Sequence, residues 1–180
     1  MKLGFIVNPI AGMGGKVGLK GTDGREILYK ARKLGAKPES PKKAKQALEY
    51  LLPLKDKLEI LTYSREMGER EAKELGFRPV VIGEVEDYTF AKDTEEAAKM
   101  MVDMSVDLIL FAGGDGTARN IYNVVGTMVP VIGIPTGVKI HSGVYANHPK
   151  AAGEIAYKYL ISEERQTMEA EVMDIDEEAF

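Results

Sequence analysis

The passage with the clearest chemical content is 106–120, VDLILFAGGDGTARN: an apolar run, then Gly113-Gly114-Asp115-Gly116-Thr117, then the start of a helical pattern. Adjacent glycines at a strand's end let the backbone turn sharply and bring its amides close to a ligand. A helix opened by Gly116 and Thr117 presents unpaired N–H groups and the positive end of its dipole, which favour anions and phosphate above all. Asp115 is the unexpected element, because a pure anion cradle would not place a carboxylate there. It makes sense if the carboxylate takes a proton from an attacking hydroxyl, or holds a metal ion that travels with phosphates. As a purely local device, the same side chain would cap the helix. The usual nucleotide signatures are absent: there is no GxxxxGK[ST] loop, and no GxGxxG with an acidic residue at a following strand's end.

Two further loops carry polar or glycine-rich content. Asn8-Pro9-Ile10-Ala11-Gly12-Met13-Gly14-Gly15 follows the first apolar run. Asn8 can close a turn or reach a ribose or phosphate, while Gly12, Gly14 and Gly15 permit close backbone approach to a ligand. Lys16 adds a positive charge, and the run from Gly18 to Gly24, with Asp23, extends the loop to the length of a lid. The third loop, Pro135-Thr136-Gly137-Val138-Lys139, offers Thr136, Gly137 and Lys139, with Ser142 just beyond. Arg119 and Asn120, in the first turn after GGDGT, either meet a phosphate or stay solvated. His141 and His148 lack metal-ligand spacing and read as structural or surface residues, and no protein-held metal site is expected. Met100, Met101 and Met104 read as core filling.

The elements that must position these loops alternate regularly. Short apolar runs at 2–7, 58–63, 79–83, 106–111 and 129–134 predict strands. Helical periodicity covers 25–34, 41–52, 65–75, 93–104 (capped by Asp93 or Thr94), 118–125 and 149–161. In the last of these, Ala152, Ile155, Ala156, Tyr159 and Leu160 share the predicted inner face. Near-continuous apolar strands separated by helices predict an α/β fold whose mostly parallel sheet is covered on both faces. Ligands of such sheets bind at the carboxyl ends of the strands, so the three loops should converge on one cleft. Residues 167–175 alternate weakly and predict one more strand.

The bulk properties narrow the class. A chain of 180 residues, 44% apolar and 29% charged, suffices for one full core and is too short for two large domains. A net charge of −4 argues against nucleic acid or an anionic membrane as the main partner. No apolar run reaches the length of a membrane span, and the N-terminus lacks a signal-peptide layout. Without cysteine, disulfides and thiolate chemistry are excluded, and a cytoplasmic location is expected.

GGDGT after a buried strand resembles the superfamily of NAD kinases, diacylglycerol and sphingosine kinases and 6-phosphofructokinases. The Asn8 loop resembles the NP..G loop of the diacylglycerol and NAD kinase branches, and Ile132 to Lys139 occupies the place of the GVN.G segment of ordinary NAD kinases. NPIAGMGG, GGDGTARN and IPTGVKIHSGV together are most similar to the archaeal and bacterial group described as predicted ATP- or polyphosphate-dependent NAD kinases, related to the acetoin-utilisation protein AcoX. The resemblance runs from Met1 to about Tyr159. It implies a Rossmann-like three-layer sandwich and transfer of a phosphoryl group from ATP or polyphosphate to the 2′-hydroxyl of NAD. Asp115 would be the catalytic residue, and Mg²⁺ would arrive with the nucleotide. Asn8, Gly12, Gly14, Gly15, Gly113, Gly114, Gly116, Thr117, Arg119, Thr136, Gly137 and Lys139 would line the nucleotide site. The resemblance further implies a nucleotide-binding domain over 1–165 and, over 166–180, the start of a second, mostly β domain of a longer, homo-oligomeric protein. Two departures stand out: Pro135 replaces the asparagine of ordinary NAD kinases, and the G[TS].ND pattern of diacylglycerol kinases is missing. Other readings are a kinase of another small hydroxyl compound and a non-catalytic nucleotide-binding module.

Overall fold

The computed structural model describes residues 1–12, 35, 38–86, 89, 91–137 and 140–173. The expected helix at 25–34, and Gly14, Gly15, Lys16, the Gly18 to Gly24 run and Lys139, lie outside them. Five strands are described: β1 (Lys2–Val7), β2 (Glu59–Tyr63), β3 (Val80–Gly83), β4 (Leu108–Gly113) and β5 (Val131–Pro135). They form one parallel sheet in the order β3-β2-β1-β4-β5. The α/β fold expected from alternating apolar runs and helical patterns is the one observed.

Side chains alternate across the sheet as a period of two demands. Leu3, Phe5 and Val7 of β1, with Leu108, Leu110 and Ala112 of β4 and Ile132 and Ile134 of β5, form one core layer. It is covered by α1 (Ser40–Leu48) and α5 (Pro149–Ile161). Ile6, Ile109 and Phe111 point the other way, under α3 (Ala91–Asp103) and α4 (Asp115–Val125). A fifth helix, α2 (Glu69–Glu74), lies between β2 and β3 in the chain.

From β1 the chain moves outward through β2 and β3, then returns to place β4 on the other side of β1. The strand order therefore reverses between β1 and β4. In open α/β sheets that reversal point opens a crevice beyond the carboxyl ends of the two strands. The loops leaving β1 and β4 are the Asn8 loop and GGDGT.

Several sequence expectations are corrected. The helix expected over 41–52 is α-helical only to Leu48 and then tightens into a 3₁₀ helix, Glu49–Leu54, because Pro53 has no N–H to continue the ladder. The helix expected over 65–75 is split by Gly68, at φ +139°, into a 3₁₀ turn (Arg65–Met67) and α2. α3 starts at Ala91, which puts Asp93 and Thr94 inside its first turn instead of at a cap. β4 runs on through Ala112 and Gly113, which pair with Ile134 and Pro135 of β5. Residues 167–173 form no regular strand; Glu171 and Met173 instead bond the chain at Ser142 and Gly143, where Gly143 N–H donates to Glu171 O at 2.8 Å. Ile155 is exposed, not inward, and of the three methionines only Met101 is fully buried.

Candidate functional site

α4 begins at Asp115, three residues before the expected helical run at 118–125, with the extended Gly114 (φ −106°, ψ −167°) as its N-cap. Ala118 N–H makes the first intrahelical bond, to Gly114 O at 3.1 Å. The N–H groups of Asp115, Gly116 and Thr117 consequently have no partner within the helix, the arrangement that attracts an anion.

Asp115 does not cap its own helix. Its carboxylate reaches across to the chain beyond β5: Oδ2 accepts from His141 N–H at 2.8 Å, and Oδ1 accepts from Ser142 N–H at 2.9 Å and Ser142 Oγ at 2.7 Å. A carboxylate offers about four acceptor positions. These three bonds leave one, on Oδ2.

Each remaining member of the motif has a distinct surrounding. A Cβ on Gly113 would lie 2.3–2.6 Å from the Thr117 side chain, so glycine there is what admits Thr117 beneath the turn. Thr117 is buried, and its Oγ1 accepts from Asn8 Nδ2 at 3.1 Å. Around Gly114 and Gly116, by contrast, a Cβ would meet none of the described residues within 4 Å. That openness leaves the amides of the first turn approachable.

Asn8 is a strut between the two strands at the crevice. Its backbone N–H donates to Ala112 O at 2.9 Å, its Nδ2 reaches Thr117, and its Oδ1 accepts from Ile10 N–H at 3.3 Å. Gly12 closes the described part of this loop at φ +81°, so tightly over β5 that a Cβ would sit 2.6 Å from Thr136 O. The loops after β1, β4 and β5 thus meet at one end of the sheet, with Thr136 and Gly137 beside Gly12. Thr136 is 2% exposed, and its Oγ1 has no hydrogen-bond partner among the described residues. On α4, Arg119 is exposed and Asn120 is buried. His148 caps α5 through Nδ1, which accepts from Ala151 N–H at 3.1 Å.

Sequence reasoning missed two residues here. Tyr145 donates its hydroxyl to Gly114 O, and its ring packs edge-on against Phe111 (5.4 Å, 68°) and covers Gly133. Burial, reinforced by the Asp115 charge, pushes its hydroxyl well above the usual tyrosine range, so Tyr145 stays a neutral donor beneath GGDGT. The available signal was Gly133, a glycine inside an apolar strand, which marks close approach of another group. Lys43 of α1 is the other, donating from Nζ to Thr136 O at 3.3 Å. Nothing in the sequence pattern tied it to that loop.

Among the described residues no three His, Cys, Asp or Glu side chains converge to hold a metal ion. No described helix is long and apolar enough to cross a membrane. A recess of about 260 Å³ lined by Lys55, Asp56, Leu58, Ile60, Phe77 and Arg78 opens at the amino ends of β2 and β3, the opposite end from these loops. It contains none of the chemistry assembled around Asp115.

A solved structure from Bacillus anthracis str. Sterne, provisionally described as a diacylglycerol kinase, is similar at 20% identity with a TM-score of 0.46. The similarity covers 87% of this chain and 42% of that one, so the chain spans less than half the length of the relative. No curated protein matches the chain significantly. The family model described as the ATP-NAD kinase N-terminal domain matches residues 3–164, and the chain accordingly belongs to the ATP-NAD kinase family.

Proposed function

We propose that the protein is an NAD kinase-like phosphotransferase that moves a phosphoryl group from ATP or polyphosphate to the 2′-hydroxyl of NAD. The observation that carries this reading is Asp115: a carboxylate fixed at the mouth of the β1/β4 crevice, beside the open N-terminus of α4. Phosphoryl transfer asks the protein chiefly to position two substrates and offset charge. The first-turn amides of α4, with Thr117, would hold phosphate oxygens of the donor. Asp115 would accept the proton of the attacking hydroxyl through the unused position on Oδ2.

In the reaction, the hydroxyl oxygen forms a bond to the terminal phosphorus and the bond from that phosphorus to the bridging oxygen breaks. ADP, or a polyphosphate shorter by one unit, leaves with the electron pair. The hydroxyl proton passes to Asp115 and then to solvent. Mg²⁺ bound to the nucleotide would neutralise phosphate charge. Gly12, Thr136 and Gly137, and with them Gly14, Gly15 and Lys139 beyond the described residues, would complete the nucleotide site, with Arg119 at its exposed edge. The family model is that of an N-terminal domain. This supports a domain boundary near residue 165; the chain beyond it would enter a second domain, mostly β as the resemblance implies.

The test is NADP formation from NAD with ATP and Mg²⁺, or with polyphosphate, by the full-length protein and its Asp115→Asn variant. Product made by the wild type and lost at least 1,000-fold in kcat by the variant is expected; general-base groups contribute about 10²–10⁴-fold. A folded wild type that makes no NADP from either donor overturns NAD as acceptor and moves the search to other small hydroxyl compounds. A folded Asp115→Asn that retains turnover overturns Asp115 as the base.

A further inference from the structure

We infer that Ser142 is a positioning residue for Asp115, and that through its hydroxyl the segment 171–173 is coupled to the reacting carboxylate. The inference rests on the reading of Asp115 as the base. Its grounds are the disposition of one proton.

A serine hydroxyl has one proton to give and two lone pairs to offer. Met173 N–H donates to Ser142 Oγ at 3.0 Å, which occupies one lone pair. Two acceptors lie within reach of the proton: Asp115 Oδ1 at 2.7 Å and Met173 O at 3.1 Å. A hydrogen bond to a carboxylate is the shorter and about twice the stronger of the two kinds. The proton therefore goes to Asp115, and the Met173 N–H holds the oxygen in the orientation that sends it there. Ser142 is only 6% exposed, so water competes little for either bond.

The consequence is a carboxylate that cannot turn. Oδ1 carries two bonds from Ser142, and Oδ2 carries one from His141 N–H. Rotation about the Cβ–Cγ bond would break all three. The position left on Oδ2 is thereby aimed in one direction, toward which a substrate hydroxyl must approach. Segment 171–173 takes part because it supplies the N–H behind the serine, while Glu171 O anchors Gly143 N–H at 2.8 Å. Whatever shifts that segment shifts the aim of Asp115.

The experiment is a double-mutant cycle in the full-length protein, comparing wild type, Ser142→Ala, Asp115→Asn and the double variant. Each is assayed for NADP formation, with thermal unfolding as a check of folding. Ser142→Ala is expected to lower kcat about 10- to 100-fold, the loss that a misplaced reacting group brings, with KM for NAD and ATP within about twofold. In the Asp115→Asn background the same change should alter the residual rate by less than about twofold, because there is no longer a base to aim. Ser142→Ala at full kcat, or an equal loss in both backgrounds, overturns the positioning role while Asp115 stays the base. An Asp115→Asn variant at full activity overturns the base assignment and, with it, the inference that rests on it.

Discussion

Asp107 and Asp115 stand eight positions apart, one before β4 begins and one after it ends. Both carboxylates are bonded on both oxygens, yet to different kinds of donor. Asp107 accepts from Lys2 N–H at 2.7 Å and from the Arg165 guanidinium at 3.0 Å, and that guanidinium also donates to Leu160 O and lies 5.1 Å from the centre of the Tyr159 ring. The bonds to Asp115 come from two backbone N–H groups and a hydroxyl. Ion pairing at Asp107 neutralises its charge and ties the end of α5 to the amino ends of β1 and β4. Neutral dipoles at Asp115 orient the carboxylate and leave its charge in place. The same residue type is a staple at one end of a parallel strand and a poised group at the other, because helix N-termini gather only at the carboxyl end.

Exchanging each aspartate for asparagine tests that contrast most severely. Asp115→Asn is expected to lose at least 1,000-fold in kcat while unfolding within about 1 kcal/mol of wild type, since one amide hydrogen must then face the His141 N–H. If Asp115→Asn proves mainly a folding defect, the distinction between the two ends collapses.

Glu71 extends the comparison to a carboxylate that has received neither treatment. It is 1% exposed in the first turn of α2, and its Oε2 has no hydrogen-bond partner among the described residues. Burial, aided by Glu66 and Glu74 and opposed by its own N–H, raises its pKa to about 8. Between pH 4.5 and 8 the unfolded chain releases this proton while the folded chain keeps it. Folding then retains more protons, and stability falls as pH rises. Glu71→Gln should remove that slope, gaining about 3 kcal/mol on wild type between pH 5 and 8 in urea unfolding. Parallel pH profiles for the two proteins would mean that Glu71 is solvated and ionised.

The glycines of the motif sharpen the contrast within a single turn. Gly113→Ala would drive a methyl into Thr117, a buried β-branched side chain that cannot step aside without breaking its bond to Asn8. A loss of about 2–3 kcal/mol is expected, with activity falling alongside. Gly114→Ala meets open space and an extended backbone, so stability should stay within about 0.5 kcal/mol. What should change is the KM for the phosphoryl donor, because the methyl occupies room that a ligand would use. Equal destabilisation by both would show that the space before Gly114 is not a binding surface.

How much of this was legible follows from the range of each signal. β1, the fold class and α5 were readable because a near-continuous apolar run, its alternation with helical patterns and a helix start at Pro149 are local signals. The meeting of the three loops was inferable from topology alone. The partners of Asp115 were not, because His141 and Ser142 lie 26 and 27 positions away, across a loop whose path only tertiary structure sets. The cap that sequence logic allowed Asp115 as a purely local alternative does not form; the side chain turns instead toward donors the sequence could not show. Lys43 was invisible for the same reason, reaching Thr136 over 93 positions. Splitting of the helix at Gly68 was foreseeable in kind, since glycine inside a helical pattern is a standing weakness.

Asp107→Asn carries the smallest expected effect and is the sharper probe of the amino end. Burial would raise the Asp107 pKa, but the Lys2 N–H and the Arg165 guanidinium outweigh it and hold the carboxyl below its usual range. A depressed folded pKa contributes stability above the unfolded value, near 3.8, and loses it as pH falls through the folded one. With a side chain about one-third exposed, solvent screening limits the contribution to about 1 kcal/mol. Asparagine retains an acceptor for either Lys2 N–H or Arg165 but forfeits the ion pair. The deficit should therefore be present at pH 7, shrink toward pH 3, and diminish in high salt, with kcat unchanged throughout. A fall in kcat without loss of stability would mean that the amino end of β4 communicates with the carboxyl end, and that Asp107 is more than a staple.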